Sequence, residues 1–181
     1  MTRALILPGW MNSGPGHWQS RWEALHGFER VQQDDWVWPR RGDWMARLDE
    51  VLLDGPAQVP VVLVAHSLGC HLVAAWAAHS QHTALVQAAL LVAPPDTERP
   101  DMPPQVHGWR HTVRQRLPFR AQLLYSSDDP YASAERTQAL AADWGAAPLG
   151  IGAKGHVNAD SGLGDWPEGM ACLNALMASA P

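Results

Sequence analysis

The segment Val61–Leu72, VVLVAHSLGCHL, constrains the fold more than any other part of the chain. Its first five residues are apolar and follow Pro60, a pattern typical of a buried strand. The range Leu68–Ala78 is apolar nearly all round and contains no proline, which predicts a buried helix. The segment therefore predicts a strand that turns directly into a helix, with Ser67 at the turn.

A serine at such a turn is typical of a nucleophile. Its side chain points outward, and small residues two positions before and after it, here Ala65 and Gly69, relieve the steric crowding. The arrangement is that of the nucleophile elbow, G-x-S-x-G, with alanine in place of the first glycine. Ser67 would also lie at a helix N-terminus, where free N–H groups favour negative charge. The alternative is that Ser67 only caps the helix.

The rest of the chain alternates between strand and helix patterns. Strands are predicted at Ala4–Leu7, Phe28–Gln32, Val61–Ala65, Ala88–Ala93, Ala121–Tyr125 and Pro148–Ile151. A first helix is predicted with Pro15 in its first turn, Trp18, Trp22 and Leu25 on one face and its end at Gly27. Further helices are predicted from a cap at Asp43 and over Leu68–Ala78, Ser133–Trp144 and Trp166–Met177. This alternation predicts an α/β fold with about six mostly parallel strands and helices on both faces.

Length and composition narrow the class of protein. A chain of 181 residues suits one domain, 1–181, with a sizeable core. The net charge of −5 argues against a nucleic-acid partner, and no stretch approaches the roughly 18 apolar residues of a membrane span. The N-terminal MTRALILPGW indicates a first strand rather than a signal peptide. Two cysteines, Cys70 and Cys172, make no disulfide framework, so we expect a cytoplasmic protein without a membrane partner.

Four loops that follow predicted strands carry the candidate chemistry. They are the PGWMNSG loop, the Ser67 turn, the SSDDP turn and the GAKGHVN loop that contains His156. In sheets of this kind ligands bind outside the carboxyl ends of the strands, so we expect all four loops at one edge.

His156 is the predicted general base for Ser67. The chain order for an elbow serine is Ser, then Asp or Glu, then His. The other histidines after Ser67 either lie on the helix leaving the elbow or precede every later strand-end carboxylate: His71, His79, His82, His107 and His111. The acid is predicted at Asp129, because Pro130 holds it extended at the mouth of the turn. We expect the neighbouring Asp128 to bond local N–H groups.

Backbone N–H groups are predicted to form an oxyanion hole. One donor is Leu68, the residue after the nucleophile, and the second is Trp10 or Met11, in a loop to which Gly9 gives freedom. The glycines of that loop match neither the dinucleotide fingerprint nor a phosphate loop. No histidine, cysteine or carboxylate set has metal-ligand spacing, so neither a cofactor nor a metal is expected.

The chain resembles the small single-domain α/β-hydrolases of the retinoblastoma-binding-protein/YdeN type. The matching segments are LPGWMNSGPGHWQSRWE, VAHSLG, YSSDDPYAS and GHVNADSGLGDWPEG, which are spread over nearly the whole chain. The resemblance implies a compact α/β-hydrolase fold, a triad of Ser67, Asp129 and His156, and a small acyl ester as substrate. Members of the family are also discussed as protein-binding partners, so a protein partner stays open.

The sequence therefore predicts a serine hydrolase that cleaves small acyl esters through an acyl-enzyme. The alternatives are an amidase or peptidase with the same triad, and a binding module that retains the fold. The segment before the Ala121–Tyr125 strand is too short for more than a small cap, so we expect an open site. Its candidate substrate-binding residues are Trp10, Met11, His66, Trp36, Trp38 and Trp109.

Overall fold

The computed structural model describes residues 2–56 and 59–178. Its strands are β1 (Arg3–Leu7), β2 (Glu29–Arg30), β3 (Val61–His66), β4 (Val86–Val92), β5 (Arg120–Tyr125) and β6 (Ala147–Gly150). Its α-helices are α1 (Trp18–His26), α2 (Arg41–Leu53), α3 (Leu68–His79), α4 (Ala134–Trp144) and α5 (Pro167–Ala178). Short 3₁₀ helices cover Thr83–Leu85, Pro104–Trp109 and Ala159–Ser161.

The strands form one sheet in the order β2-β1-β3-β4-β5-β6, and every pairing is parallel. Leu7 pairs with Ala65, and Val92 pairs with both His66 and Leu124, so the carboxyl ends of the central strands are level. The loops that follow β1, β3, β4 and β5 consequently meet at one edge. The predicted α/β fold with helices on both faces is confirmed.

Alternation along β3 explains why the sheet is covered on both faces. Val61, Leu63 and Ala65 pack with α2, α3 and α4, whereas Val62 and Val64 pack with α1 and α5. All six residues of β3 are buried, because a central parallel strand has no solvated face. The nucleophile candidate thus follows one of the most constrained strands of the molecule.

Three details of the sequence prediction are wrong. Leu25 is 56 % exposed, because the buried face of α1 is formed by Trp18, Gln19 and Trp22. The strand predicted at Phe28–Gln32 is reduced to β2, which pairs with β1 over two residues only. Helix α2 begins at Arg41, so Asp43 lies in its first turn and not at its cap.

A buried histidine on α3 links stability to pH. His71 is buried, and its Nε2 donates to the Pro95 carbonyl at 2.7 Å. Burial lowers the pKa of His71 to about 4, from about 6.5 in an unfolded chain. Its contribution to stability is therefore complete above pH 6.5 and is lost as the pH falls towards 4, because the unfolded chain takes up the proton first.

We expect His71→Gln to reduce the pH dependence of unfolding. Glutamine can still donate to the Pro95 carbonyl but does not titrate, so the slope of unfolding free energy between pH 6.5 and 4 should fall by up to about 1.4 kcal/mol per pH unit. Urea unfolding at several pH values measures this slope. The control is His79→Gln, at the exposed end of the same helix. Equal slopes in wild type and His71→Gln would contradict the assignment.

Candidate active site

The backbone at Ser67 has the conformation of a strained turn. Its φ of 55° and ψ of −125° lie outside the regions that L-residues normally occupy. The turn is possible because two glycines let the backbone approach closely. A Cβ on Gly69 would collide with the carbonyl oxygen of Leu7, and a Cβ on Gly9 would lie 2.8 Å from the Cβ of Ser67. Gly9 thus provides space beside Ser67, and not the loop freedom predicted from the sequence.

A row of hydrogen bonds joins Ser67, His156 and Asp129. Nε2 of His156 lies 2.8 Å from Ser67 Oγ, and its Nδ1 lies 3.0 and 3.1 Å from the two carboxylate oxygens of Asp129. The Asp129 side chain is only 4 % exposed. Ser67 stands at the N-cap position of α3 but makes no capping hydrogen bond with its side chain. With Nδ1–H donated to the carboxylate, the Nε2 lone pair faces the serine hydroxyl, the arrangement that general-base activation requires.

Asp128 lies outside this row of hydrogen bonds and stabilises the loop that contains His156. Its Oδ1 accepts the Ser126 hydroxyl at 2.7 Å and the Gly155 N–H at 2.8 Å. These bonds, with Ser126 the larger influence, lower the pKa of Asp128. Ser126 Oγ in turn accepts the Lys154 N–H at 2.8 Å. The end of β5 is thus tied to the loop after β6 by polar contacts that do not involve Asp129.

The backbone that directly follows the His156 side chain is also held. The Nε2–H of His66 donates to the carbonyl of His156 at 2.9 Å. The indole N–H of Trp18 donates to the carbonyl of Val157 at 2.8 Å, and Val157 itself has a φ of 52°. Burial lowers the pKa of His66 well below its usual value, so this ring is neutral. His66 therefore acts at the site through the backbone of the histidine loop.

Three tryptophans join α1 to the segment that follows His156. Trp166 stacks on Trp22, with ring centroids 5.9 Å apart, and meets Trp18 edge-on at 5.0 Å. The indole N–H of Trp22 donates to the carbonyl of Asp165 at 2.7 Å. The two most distinctive segments of the sequence, GPGHWQSRW and GHVNADSGLGDW, are thus in direct contact.

The geometry distinguishes between the two candidates for the second oxyanion donor. The N–H of Met11 donates to the carbonyl of Trp36 at 3.0 Å. The N–H of Trp10 has no hydrogen-bond partner among residues 2–56 and 59–178. Leu68 is the first residue of α3, so its N–H has no intrahelical acceptor either. Trp10 and Leu68 are therefore the N–H groups left for a ligand beside Ser67.

A cleft of about 330 Å³ opens over Ser67 and His156. Three of the predicted substrate-binding residues, Trp10, Met11 and His66, line it. The sequence analysis missed other lining residues: Asn12, His17, Pro95, Met102, Pro103, Val106, Tyr131 and Asn158. Asn12, His17, Tyr131 and Asn158 lie within the segments that carry the family resemblance, whereas the other four residues carry no motif signal.

The other three predicted tryptophans do not line this cleft. Trp109 is 2 % exposed, belongs to the core and donates its indole N–H to the Pro39 carbonyl. Trp36 packs edge-on against Trp44, and its backbone carbonyl accepts the hydrogen bond from the Met11 N–H. Trp38 is 55 % exposed and borders a separate depression. Sequence pattern alone does not separate a tryptophan of the core from one that lines a pocket.

Within the part of the chain that the structure describes, there is no cluster of side chains that could hold a metal ion and no helix that could cross a membrane. No group of three or more His, Cys, Asp or Glu side chains in residues 2–56 and 59–178 is placed to hold a metal ion. No helix in these ranges has the length and apolar character needed to cross a membrane. Cys70 is buried and Cys172 partly buried, and both are free thiols.

Comparison with known protein families shows to which family the chain belongs. The model of a family described as serine hydrolase matches residues 4–175. The chain belongs to the serine hydrolase family. It is accordingly a hydrolytic enzyme.

Solved structures agree with this family assignment. A protein from Pectobacterium atrosepticum described as a YdeN-like hydrolase is 25 % identical, with a TM-score of 0.84 over 97 % of this chain and 90 % of that one. The ydeN gene product of B. subtilis is 20 % identical, with a TM-score of 0.77 over 99 % and 100 %. The predicted resemblance to YdeN-type hydrolases is confirmed.

More distant structures share the fold alone. The carboxylesterase CesB (YbfK) of Bacillus subtilis is 11 % identical, with a TM-score of 0.66 over 99 % of this serine hydrolase and 85 % of that chain. Curated protein sequences give no significant match.

We expect Gly9→Ala to lower kcat strongly without unfolding the serine hydrolase. The added methyl would press on the Cβ of Ser67 and displace the loop that carries the Trp10 N–H. Loss of one oxyanion donor costs about 10²–10³ in kcat. Ester-hydrolysis kinetics and circular dichroism measure the two effects. Gly14→Ala is the control, because nothing lies within 4 Å of its Cβ position in the same loop. Similar rates for both variants would contradict this role of Gly9.

The two adjacent carboxylates should respond differently to amidation. Asp129→Asn favours the wrong tautomer of His156 and should lower kcat by about 10⁴. Asp128→Asn keeps an oxygen that can accept the Gly155 N–H, so kcat should fall by less than about tenfold, from loosening of the histidine loop. Steady-state kinetics on one ester compare the pair directly. A large loss in Asp128→Asn with a mild loss in Asp129→Asn would reverse the assignment.

Proposed function

We propose that this protein is a carboxylic ester hydrolase with Ser67 as nucleophile, His156 as general base and acid, and Asp129 as the group that orients His156. The row of hydrogen bonds from Ser67 Oγ through His156 to Asp129, at the mouth of a cleft, is the observation that carries this proposal. Membership of the serine hydrolase family supports it.

The reaction follows from the position of each group. Ser67 Oγ attacks the ester carbonyl while His156 Nε2 takes its proton, and the Asp129 carboxylate stabilises the imidazolium that forms. The negative oxygen of the tetrahedral intermediate accepts the N–H groups of Trp10 and Leu68. His156 then gives its proton to the leaving alcohol, and an acyl group remains on Ser67. Water, activated by the same histidine, attacks this acyl-enzyme and releases the acid.

The shape of the cleft favours a small substrate. A volume of about 330 Å³ is at the lower end of the range for small-molecule sites. Pro95, Met102, Pro103 and Val106 supply an apolar surface for an acyl chain. We also expect the cytoplasmic location that the cysteine usage indicates, and independence of metals and cofactors.

Covalent labelling and kinetics together test the proposal. A fluorophosphonate probe should label wild type at Ser67 and should not label Ser67→Ala. Ser67→Ala and His156→Ala should each lower kcat on p-nitrophenyl acetate by about 10⁴ or more, because members of a triad act as a unit. His79→Ala, exposed at the far end of α3, is the matched control.

Three results would contradict the proposal. Residual activity within about tenfold of wild type in either triad variant would remove the assigned roles. Turnover of p-nitroacetanilide at a rate comparable with p-nitrophenyl acetate would instead support the amidase alternative. An unlabelled wild-type protein without ester turnover would favour a binding module.

A further inference from the structure

The cleft contains a buried hydrogen-bond donor that no described residue satisfies. His17 lies at the N-cap of α1 and is 4 % exposed. Its Nδ1 accepts the N–H of Gln19 at 3.1 Å, so the neutral ring carries its proton on Nε2. This Nε2 is buried and has no hydrogen-bond partner within residues 2–56 and 59–178.

The groups around His17 keep its imidazole ring neutral, and the ring lines the cleft over Ser67. Burial, followed by the nearby Arg30 guanidinium, lowers the pKa of His17 to about 4. Its ring makes a T-shaped contact with His66, with centroids 4.6 Å apart, and both rings line the cleft over Ser67. A buried N–H without an acceptor is costly, and a ligand that supplies an acceptor removes that cost.

Two asparagines of the same cleft repeat the pattern. Oδ1 of Asn12 accepts the N–H of Ser13 and the guanidinium of Arg30. Oδ1 of Asn158 accepts the N–H of Asp160. In both side chains the acceptor atom is occupied, while the Nδ2 amide has no partner among the residues described. We refer to Asn12, His17 and Asn158 as the donor wall, because each lines the cleft with a donor that has no partner among the residues described.

Two members of the donor wall, His17 and Asn158, lie on the His156 side of the cleft. Asn158 follows His156 by two residues, and His17 touches His66, whose Nε2–H is bonded to the His156 carbonyl. His156 returns the proton to the leaving alcohol in the proposed reaction. The apolar lining comes from a different segment, between Pro95 and Val106. The alcohol part of an ester therefore faces the donor wall, and the acyl part faces the apolar segment.

We propose that the preferred esters carry a neutral carbonyl oxygen on the alcohol part, close to the ester bond, and that His17 Nε2–H donates to it. This inference rests on the proposed esterase function and names its substrate class. A carbonyl oxygen accepts without bringing a donor that would need its own partner. No side chain of the donor wall is positively charged, and the adjacent Arg30 guanidinium is already paired with the Glu23 carboxylate. This disfavours a carboxylate as ligand, because a buried charge needs a paired charge.

A matched pair of acetyl esters tests the proposal. Acetoxyacetone and 2-methylallyl acetate differ only in the exchange of C=O for C=CH₂ in the alcohol part. The measured quantity is the ratio of kcat/KM for the two esters in wild type and in His17→Asn. Asparagine keeps an acceptor that caps α1 but is too short to place a donor at the Nε2 position. Intrinsic reactivity cancels when the ratios of two enzymes are compared.

We expect the ratio to fall about fivefold to tenfold in His17→Asn, as for the loss of one neutral hydrogen bond. The matched control is His26→Asn, which lies exposed at the opposite end of α1 and should keep the wild-type ratio. If His17→Asn does not fold, His17→Ser gives the same readout, because serine retains an oxygen that can cap α1 and does not reach the Nε2 position.

The outcomes separate this inference from the proposed function. An unchanged ratio in a folded variant that a fluorophosphonate still labels would overturn the inference and leave the esterase intact. An equal fall in His26→Asn would overturn it as well. A wild-type protein that neither hydrolyses an ester nor reacts with the fluorophosphonate would overturn the proposed function itself.

Discussion

The site depends on how a loop from the edge of the sheet is held over a serine at its centre. His156 follows β6, whose four residues are all exposed and which pairs with β5 alone. Such a strand cannot fix a side chain within hydrogen-bond distance of Ser67. The position is set instead by contacts from three other elements: the indole of Trp18, the imidazole of His66 and the polar pair formed by Ser126 and Asp128. A misplacement of one ångström is enough to lose catalysis, so these contacts are functional constraints.

This dependence explains what the sequence predicts well. The strand, turn and helix around Ser67 are local, so apolar pattern and small residues are enough to place them. The assignments of Asp129 and His156 use chain order and the rule that parallel strands end at one edge. Structure and order agree there, because both residues follow parallel strands whose carboxyl ends meet at the same edge of the sheet as Ser67.

Other features depend on contacts between segments that are distant in the sequence, so the sequence pattern does not predict them. Trp36, Trp38 and Trp109 share their residue type with Trp10, but only packing decides that Trp10 alone among them lines the cleft. A glycine is needed at position 9 because a Cβ there would collide with the Cβ of Ser67, which lies 58 positions later in the sequence. The donor in His17 is visible only when its capping bond and its missing partner are seen together.

The separate origin of the apolar lining has a consequence for divergence among related enzymes. Pro95, Met102, Pro103 and Val106 belong to one connection between β4 and β5, which holds a single short 3₁₀ helix and supplies neither Ser67, His156, Asp129 nor the free N–H groups. Its length and side chains can change while the sheet keeps its register. The side chains that line this part of the cleft can therefore vary without a change in the residues that hold Ser67, His156 and Asp129 together.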